Sequence, residues 1–371
     1  MRRLRSAFLI LTVVVLLTGC WDRLDLEDMT LTLMVGFDLD DKDNLIVYVA
    51  SPVFSKTAKK KVENFGVKVK SIRQARARLD SMVTGMATAG KLQVVLLSKR
   101  LLQHEDWFPL LDIVYRDVHF NVTARVLAVD GPVAEIFDFD PKDKPLLPYH
   151  LAELIDTSNK RNIAVKRTLQ DLHRQMDDKG VTASITEIKK VKEIEVKGSA
   201  VLNEKGNYKT LLRLQESALL LLLKSEMKKS LSLTIPAPKQ ANSGSVIEPR
   251  LSFNVQHTSP KFKISYTNGR FDIDVKLKLN VSITERTFDM DIKENNKKFE
   301  DHIAKEITKE VEKLIKKFQK NAIDPVGFGI YARGSQNKEW KKVENNWEEE
   351  FAKASIHVST KVTIKGKGTW G

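Results

Sequence analysis

The pattern of hydrophobic and polar positions changes along the chain, and the changes predict a mixed fold that combines α/β and α+β organisation in several domains. The first third contains short, nearly all-apolar runs, which are typical of strands buried on both faces. Between them, apolar residues recur at helical spacing from Ser71 to about Ala89 and again from Asp106 to Tyr115. These features predict an N-terminal α/β domain over residues 20–140. The predicted strands are residues 31–38, 45–50, 93–98 and 124–129.

A proline-rich and charged stretch at 140–148 predicts the boundary to a middle α/β domain over 141–226. The leucine-rich run 211–223 is shorter than the ~20 residues that cross a bilayer, so we expect it to be buried in the protein. The other elements predicted here are helices at 149–158 and 165–177 and strands at 183–190 and 196–202.

From residue 227 onward the pattern predicts a C-terminal domain over 227–371, built on an antiparallel sheet. Apolar residues occupy every second position between Arg250 and Thr287, which is typical of a sheet with one face in water. Two tryptophans spaced seven apart, Trp340 and Trp347, are predicted to share one helix face, and residues 356–364 are predicted to form a last strand.

A long amphipathic helix is predicted from about Lys293 to Ala322. It could lie on a membrane surface or cover the sheet that precedes it. Its polar face mixes Glu with Lys and is not uniformly basic, which favours the sheet cover. The apolar stripe consists of Phe299, Ile303, Ile307, Val311, Leu314, Ile315 and Phe318.

The first 19 residues have the pattern of an export signal. Arg2, Arg3 and Arg5 precede the apolar run 7–18, which as a helix would be about 18 Å long, too short for a hydrocarbon core about 30 Å thick. A lipobox follows, with Leu17, Thr18 and Gly19 before Cys20. We therefore predict cleavage after Gly19, with an S-diacylglyceryl group and an N-acyl group on Cys20. The alternative is a conventional signal with an incidental cysteine.

The net charge and the cysteine count limit the partners and the covalent or metal sites that this chain can have. The net charge of +14 favours contact with anionic lipid, nucleic acid or acidic polymer, although lysines spread along the whole chain are also explained by solubility. One cysteine excludes an intramolecular disulfide and a multi-thiolate metal site.

No catalytic, metal-binding or nucleic-acid-binding motif is recognisable, so we expect a protein that is not an enzyme and has no cofactor, metal or nucleic-acid partner. The seven histidines form no HxxxH or HExxH pair, and GxSxG and P-loop motifs are missing. The glycine-rich 366–371 is interpreted as a tail, and Glu348–Glu350 as a solvated helix face.

Several short segments together resemble one family. Cys20-Trp21-Asp22-Arg23 followed by Val35-Gly36-Phe37-Asp38 is similar to the start of the Ger(x)C proteins, the C subunits of spore germinant receptors. The likeness continues through residues 124–131, 196–202 and 324–329, and then through Trp340 and Trp347.

This resemblance implies a three-domain lipoprotein on the outer face of the cytoplasmic (inner spore) membrane. The protein would assemble with transporter-like integral A-type and B-type receptor subunits and would be needed for the response to small nutrients. The alternative is a lipid-anchored solute-binding or cell-wall-polymer-modifying protein, which gene neighbourhood would distinguish.

Overall fold

A computed structural model describes residues 29–55, 57–83, 85–238, 248–288, 290 and 295–366 of the 371-residue chain. The predicted export signal, lipobox and glycine-rich tail beyond residue 366 lie outside the described residues. The described chain forms two units, each built on its own large sheet.

The N-terminal unit contains an eight-stranded mixed sheet in the order β10-β9-β8-β7-β6-β2-β3-β4. Its four central strands, β8, β7, β6 and β2, run parallel, and antiparallel pairs flank them on both sides. A separate parallel pair joins β1 (Met29–Leu31) to β5 (Met86–Thr88). The strands of the large sheet are β2 Met34–Leu39, β3 Leu45–Pro52, β4 Val62–Val69, β6 Val94–Ser98, β7 Arg125–Val129, β8 Ser184–Lys190, β9 Ile194–Leu202 and β10 Tyr208–Leu212.

Helices cover both faces of this sheet, as the all-apolar runs predict. Val95 and Leu97 belong to the core on one face, whereas Val94 and Leu96 belong to the core on the other. All five residues of β6 are buried. The helices are α1 Ile72–Asp80, α2 Lys99–Gln103, a 3-10 turn Phe108–Leu111, α3 Asp112–Arg116, α4 Val133–Phe137, α5 Leu147–Lys160 and α6 Leu169–Asp177.

The first predicted helix is shorter than the pattern indicated. Ser71 does cap it, since its side chain accepts a hydrogen bond from the Gln74 N–H, but α1 ends at Asp80. The following Met86–Thr88 forms β5, because pairing with β1 satisfies its backbone. The sequence pattern did not predict β4.

Two other helix predictions need correction. The segment predicted as a helix from Asp106 is divided into the 3-10 turn and α3. The helix predicted from residue 165 begins at Leu169, where Thr168 and Asp171 form a capping box.

The predicted boundary at 140–148 falls between β7 and β8, which pair in the same sheet. The predicted N-terminal and middle domains therefore share one sheet, and their independence as domains stays a prediction. The leucine-rich run ends this unit with β10 and then α7 (Leu214–Leu223), in which residues 217–223 are all buried as expected.

The C-terminal unit contains a four-stranded sheet in the order β11-β12-β13-β14. The first three strands are antiparallel as predicted, but β14 runs parallel to β13, with Asp272 opposite Ser355. The prediction of a wholly antiparallel sheet is therefore wrong for this strand, because four helices carry the chain back before β14 begins. The strands are β11 Leu231–Pro236, β12 Arg250–Thr267, β13 Arg270–Arg286 and β14 Ser355–Gly366.

The long helix α8 (Asn296–Lys320) covers this sheet, and all seven residues of its predicted stripe are buried in the shared core. In the structure this helix is therefore a cover for the sheet. The helices after it are α9 (Phe328–Ser335), α10 (Asn337–Val343) and α11 (Trp347–Lys353). Trp340 and Trp347 lie on separate helices, not one, with ring centroids 5.0 Å apart.

Candidate functional site

The predicted site residues Leu17, Thr18, Gly19 and Cys20 lie outside the described residues, and their role stays a prediction. Within the described ranges, no three His, Cys, Asp or Glu side chains are grouped so that they could hold a metal ion. The most elaborate polar arrangement lies at the junction of the two units, around Asp324.

Asp324 is fully buried in the turn between α8 and α9. Its Oδ1 accepts a hydrogen bond from the Gly327 N–H at 2.8 Å, and its Oδ2 accepts from the Gly329 N–H and the Trp347 indole N–H, both at 2.9 Å. Burial raises the pKa of Asp324, while these donors act in the opposite direction by favouring the carboxylate. One carboxyl group thereby ties the turn, the start of α9 and α11 together.

Glycines allow the N-terminal unit to approach this turn. Gly327 has φ +89°, a left-handed conformation that side chains disfavour. A Cβ atom added at Gly329 would lie 2.8 Å from the Gly180 Cα atom, so the two backbones are in direct contact. Next to them, the Thr182 N–H donates to the Asp324 carbonyl at 2.9 Å. The segment before β8 is therefore fixed to the turn after α8.

Charged side chains surround this contact. Arg333 on α9 pairs with Asp178 at 3.2 Å, and Lys179 donates to Asn345 at 2.6 Å. The Lys224 side chain is only 10% exposed and donates to the Pro325 carbonyl at 2.9 Å, and its burial lowers its pKa. Polar contacts around a buried carboxyl group thus join the two units, in addition to the apolar core that Val165 and Val201 share with the C-terminal sheet.

A cleft of about 280 Å³ opens beside this junction, with Thr182, Glu204 and Glu348 among its lining residues. The Glu348 Oε1 is buried and has no hydrogen-bond partner among the described residues. Burial raises the pKa of Glu348 to about 8, and the nearby Glu204 acts in the same direction. The interpretation of Glu348 as part of a solvated face is therefore wrong, because the face of α11 that carries it lies against the N-terminal unit.

A second polar cluster lies near the carboxyl ends of the parallel strands, the edge where open α/β sheets commonly bind ligands. Tyr208 donates to the buried Glu187 at 2.8 Å, and Lys99 lies 4.6 Å from the Tyr208 ring centroid. Asp130 bridges Lys99 and Lys189. Burial raises the pKa of Glu187. All five side chains are already paired with one another, which indicates a structural network.

An apolar cavity of about 110 Å³ lies under α1, between this helix and β2 and β3. Phe37, Val49 and Ala75 line it, and an ion pair between Arg76 and Asp117 at 2.9 Å lies on its rim. The cavity could accept a small apolar group, since a cavity of about 150 Å³ is known to bind benzene.

Asp324 was marked in the sequence by the family resemblance, and Trp340 and Trp347 by the resemblance and by their spacing, but none of the three was predicted to form a site. The buried Glu187 and the partly buried Lys224 were missed and the partly buried Glu348 was placed on a solvated face, because charged residues are normally exposed and nothing local in the sequence marks these three as exceptions.

In the part of the chain that the structure describes, no helix combines the length and hydropathy that a bilayer crossing requires.

Two models of spore germination protein families match this chain, one after the other. The family described as "Spore germination protein N-terminal domain" matches residues 22–190. The family described as "Spore germination B3/GerAC like, C-terminal" matches residues 197–368. Together the two matches cover nearly all of the chain, in the order that the family has.

Individual relatives are similar over their whole length. Spore germination protein KC of Bacillus subtilis (strain 168) is 24% identical, over 99% of this chain and 96% of the relative. Spore germination protein GerQC of Bacillus cereus is 23% identical, over 97% of this chain and 98% of the relative. The crystal structure of the GerBC protein has the same fold, with a TM-score of 0.57 and 15% identity over 90% of this chain and 97% of that chain.

Proposed function

This chain belongs to the Ger(x)C, or GerAC-like, family of spore germination proteins, and from this premise we propose that it is a lipid-anchored, non-enzymatic subunit of a spore germinant receptor. It would be needed for the response to small nutrient germinants. The observation that carries the proposal is the match of both family domains, in order, to residues 22–190 and 197–368.

The proposed anchor is Cys20, with its S-diacylglyceryl and N-acyl groups. Two or more acyl chains provide durable attachment, because each buried methylene contributes about 0.8 kcal/mol and a single chain is marginal. The folded body would then lie on the outer face of the cytoplasmic (inner spore) membrane. There it would assemble with integral A-type and B-type subunits.

The junction around Asp324 supports a role as a connecting subunit. The two units touch through paired backbones and charge pairs, so a displacement of one unit would be transmitted to the other. The polar groups around Asp324 and around Glu187 are held in internal hydrogen bonds and ion pairs, which fits a structural or signal-relaying role better than bond-making chemistry.

The test is nutrient-induced germination in spores that lack this gene, complemented with the wild-type chain or with Cys20→Ala. We expect Cys20→Ala to release the protein from the membrane fraction and to weaken the germination response. Thr18→Ala is the matched control, because it keeps a small residue in the lipobox and should behave as the wild type.

Intact-mass analysis of the purified protein would measure cleavage after Gly19 and acylation of Cys20 directly. An unchanged membrane fraction and germination response in Cys20→Ala would contradict the anchor. A normal response in the deletion strain would contradict the receptor function itself.

The cavity under α1 is the one observation that favours the alternative, a lipid-anchored solute-binding protein. A solute binder is expected beside genes for a transporter permease and ATPase, whereas a receptor subunit is expected beside a gene for a multi-span transporter-like protein. Gene neighbourhood therefore separates the two functions.

A further inference from the structure

Among the described residues, the outer edge of β11 has no neighbouring strand. β11 is the first strand of the C-terminal sheet, and within the described ranges its one partner is β12. The Ala237 N–H donates to the Pro249 carbonyl, which places odd-numbered residues of β11 in hydrogen-bonded pairs with β12. Because these pairs alternate in an antiparallel ladder, the N–H and C=O groups of Ser232 and Thr234 face away from the sheet.

The residues just before β11 are held in place by hydrogen bonds to the N-terminal unit. Asn162, in a left-handed conformation just after α5, donates its side-chain amide to the Lys229 carbonyl at 2.9 Å. Its Oδ1 accepts the Lys228 N–H, also at 2.9 Å. The amide of Asn162 thus fixes residues 228 and 229, just before β11 begins at Leu231.

A cleft of about 560 Å³ runs along the free edge, between β11 and the N-terminal unit. Ile163, Ala218 and the exposed Leu214 give it an apolar wall. Cations form its rim, and none of them has an ion-pair partner in the part of the chain that the structure describes. They are Lys160, Arg161 and Lys229.

Helix α8 reaches both edges of this sheet. At the end of β11 the His302 ring donates to the outward Pro236 carbonyl at 2.8 Å, and on the opposite edge the Ile364 N–H of β14 donates to the Glu300 side chain at 3.0 Å. On β11, the outward groups of Ser232 and Thr234 precede this contact. Only the β11 edge combines outward backbone groups with a cleft and unpaired cations among the described residues of this sheet.

We propose that the β11 edge binds an extended, acidic segment of a partner polypeptide, which adds to the sheet as a fifth strand. The outward groups of Ser232 and Thr234 would supply main-chain hydrogen bonds, the usual source of affinity when a strand is added to an edge. Lys160, Arg161 and Lys229 select carboxylates, and the apolar wall takes alternate side chains. This inference does not depend on the function proposed above.

The test uses purified chain without its first 19 residues and with Cys20→Ser, and measures fluorescence polarisation with a labelled peptide in which Glu and Val alternate. We expect saturable binding that weakens as salt is raised. A peptide N-methylated at every second amide should bind about tenfold more weakly or worse, because it cannot complete the ladder. A peptide that alternates Lys and Val should bind more weakly by a similar factor.

Variants locate the binding site. Ser232→Pro removes an outward N–H without removing a bond to β12, and edge strands tolerate proline. We expect it to reduce affinity about tenfold or more, whereas the matched Ser232→Ala should bind as the wild type. Arg161→Glu should also weaken binding, and Lys313→Glu, an exposed charge reversal on α8, should not.

Equal affinity for the N-methylated and unmodified peptides would overturn the proposal, and so would the lack of saturable binding. This comparison uses the unaltered edge, so it holds even if Ser232→Pro misfolds. A concentration-dependent dimer in light scattering that Ser232→Pro abolishes would assign the edge to a second copy of the chain and would also overturn the proposal.

Discussion

The two sheets of this protein are buried in different ways, and the difference explains which parts of the chain tolerate polar residues. In the N-terminal unit, adjacent residues of β6 such as Val95 and Leu96 enter two different cores. In the C-terminal unit, Leu277 of β13 is buried while its neighbours Lys276 and Lys278 are exposed. A strand covered on both faces has no solvent-facing position, so a polar residue such as Glu187 needs a partner inside the protein, whereas a strand covered on one face has a solvent-facing position at every second residue.

The same comparison explains where the units obtain their stability. The N-terminal sheet is stabilised by short helices on both sides, so each face depends on several elements. The C-terminal sheet is covered by the long helix α8, by the aromatic cluster of the short helices after it and by the leucines of α7, all in one core. Single changes in α8 should therefore affect the C-terminal unit as a whole.

The largest expected effect comes from placing a single charged residue in each of the two sheets. Val95→Asp and Leu96→Asp should both prevent folding of the N-terminal unit, because each places an unpaired charge in a core, with a cost above ~4–5 kcal/mol. In β13, Leu277→Asp should be equally damaging, but the adjacent Lys276→Asp should change stability by no more than about 0.5 kcal/mol. Urea unfolding followed by circular dichroism measures all four. Folded, stable Leu96→Asp protein would contradict burial on both faces.

The next effect concerns the helix that covers the C-terminal sheet. Phe318→Ala or Ile307→Ala should reduce the free energy of unfolding by about 2–5 kcal/mol, because each leaves a cavity in the core. Thermal unfolding checks this, with the exposed Lys313→Ala as control. Melting of both core variants near the wild-type temperature would instead favour a helix that lies on a membrane surface.

The sequence pattern predicts some features of the C-terminal sheet but not others. The buried residues of β13 and α8 could be predicted, because strict alternation and a seven-residue stripe each match one repeating geometry with one buried face. The parallel direction of β14 was not readable, since strand direction depends on the path through α9, α10 and α11 and not on side-chain alternation.

The N-terminal errors have a similar origin. The apolar residues after Asp80 continue a helical spacing, but pairing of β5 with β1 outweighs that local preference. At the junction, Asp324 and Glu348 look like ordinary acidic residues in the sequence. Their burial results from contact between segments about 140 residues apart or more, such as Gly180 and Gly329, and no local pattern records such a contact.

The smallest expected effect lies where the two units meet. Burial raises the pKa of Glu348 to about 8 from an ordinary value of 4.5. Between these values the folded protein keeps a proton that the unfolded chain has released, so this residue makes stability fall as pH rises. Glu348→Gln removes that dependence. It should match the wild type near pH 5 and be more stable by about 1–3 kcal/mol near pH 8.

Unfolding of both proteins at several pH values measures this difference, and Glu349→Gln on the exposed side of α11 is the control. A constant difference between wild type and Glu348→Gln across this pH range would show that the carboxyl group is ionised throughout. In that case the junction would be more open to water than the contacts of Glu348 indicate.

The position of β14 has a consequence for how the protein is made. Its partner β13 is complete at Arg286, but β14 begins only at Ser355, after four helices have been synthesised. During synthesis on a ribosome, the eight-stranded sheet has all its strands by residue 212, while the backbone edge of β13 stays unpaired until β14 is made. Premature termination anywhere in the final helices would thus leave a complete N-terminal unit attached to a C-terminal unit with an unpaired strand edge. Such a product is prone to aggregation or degradation.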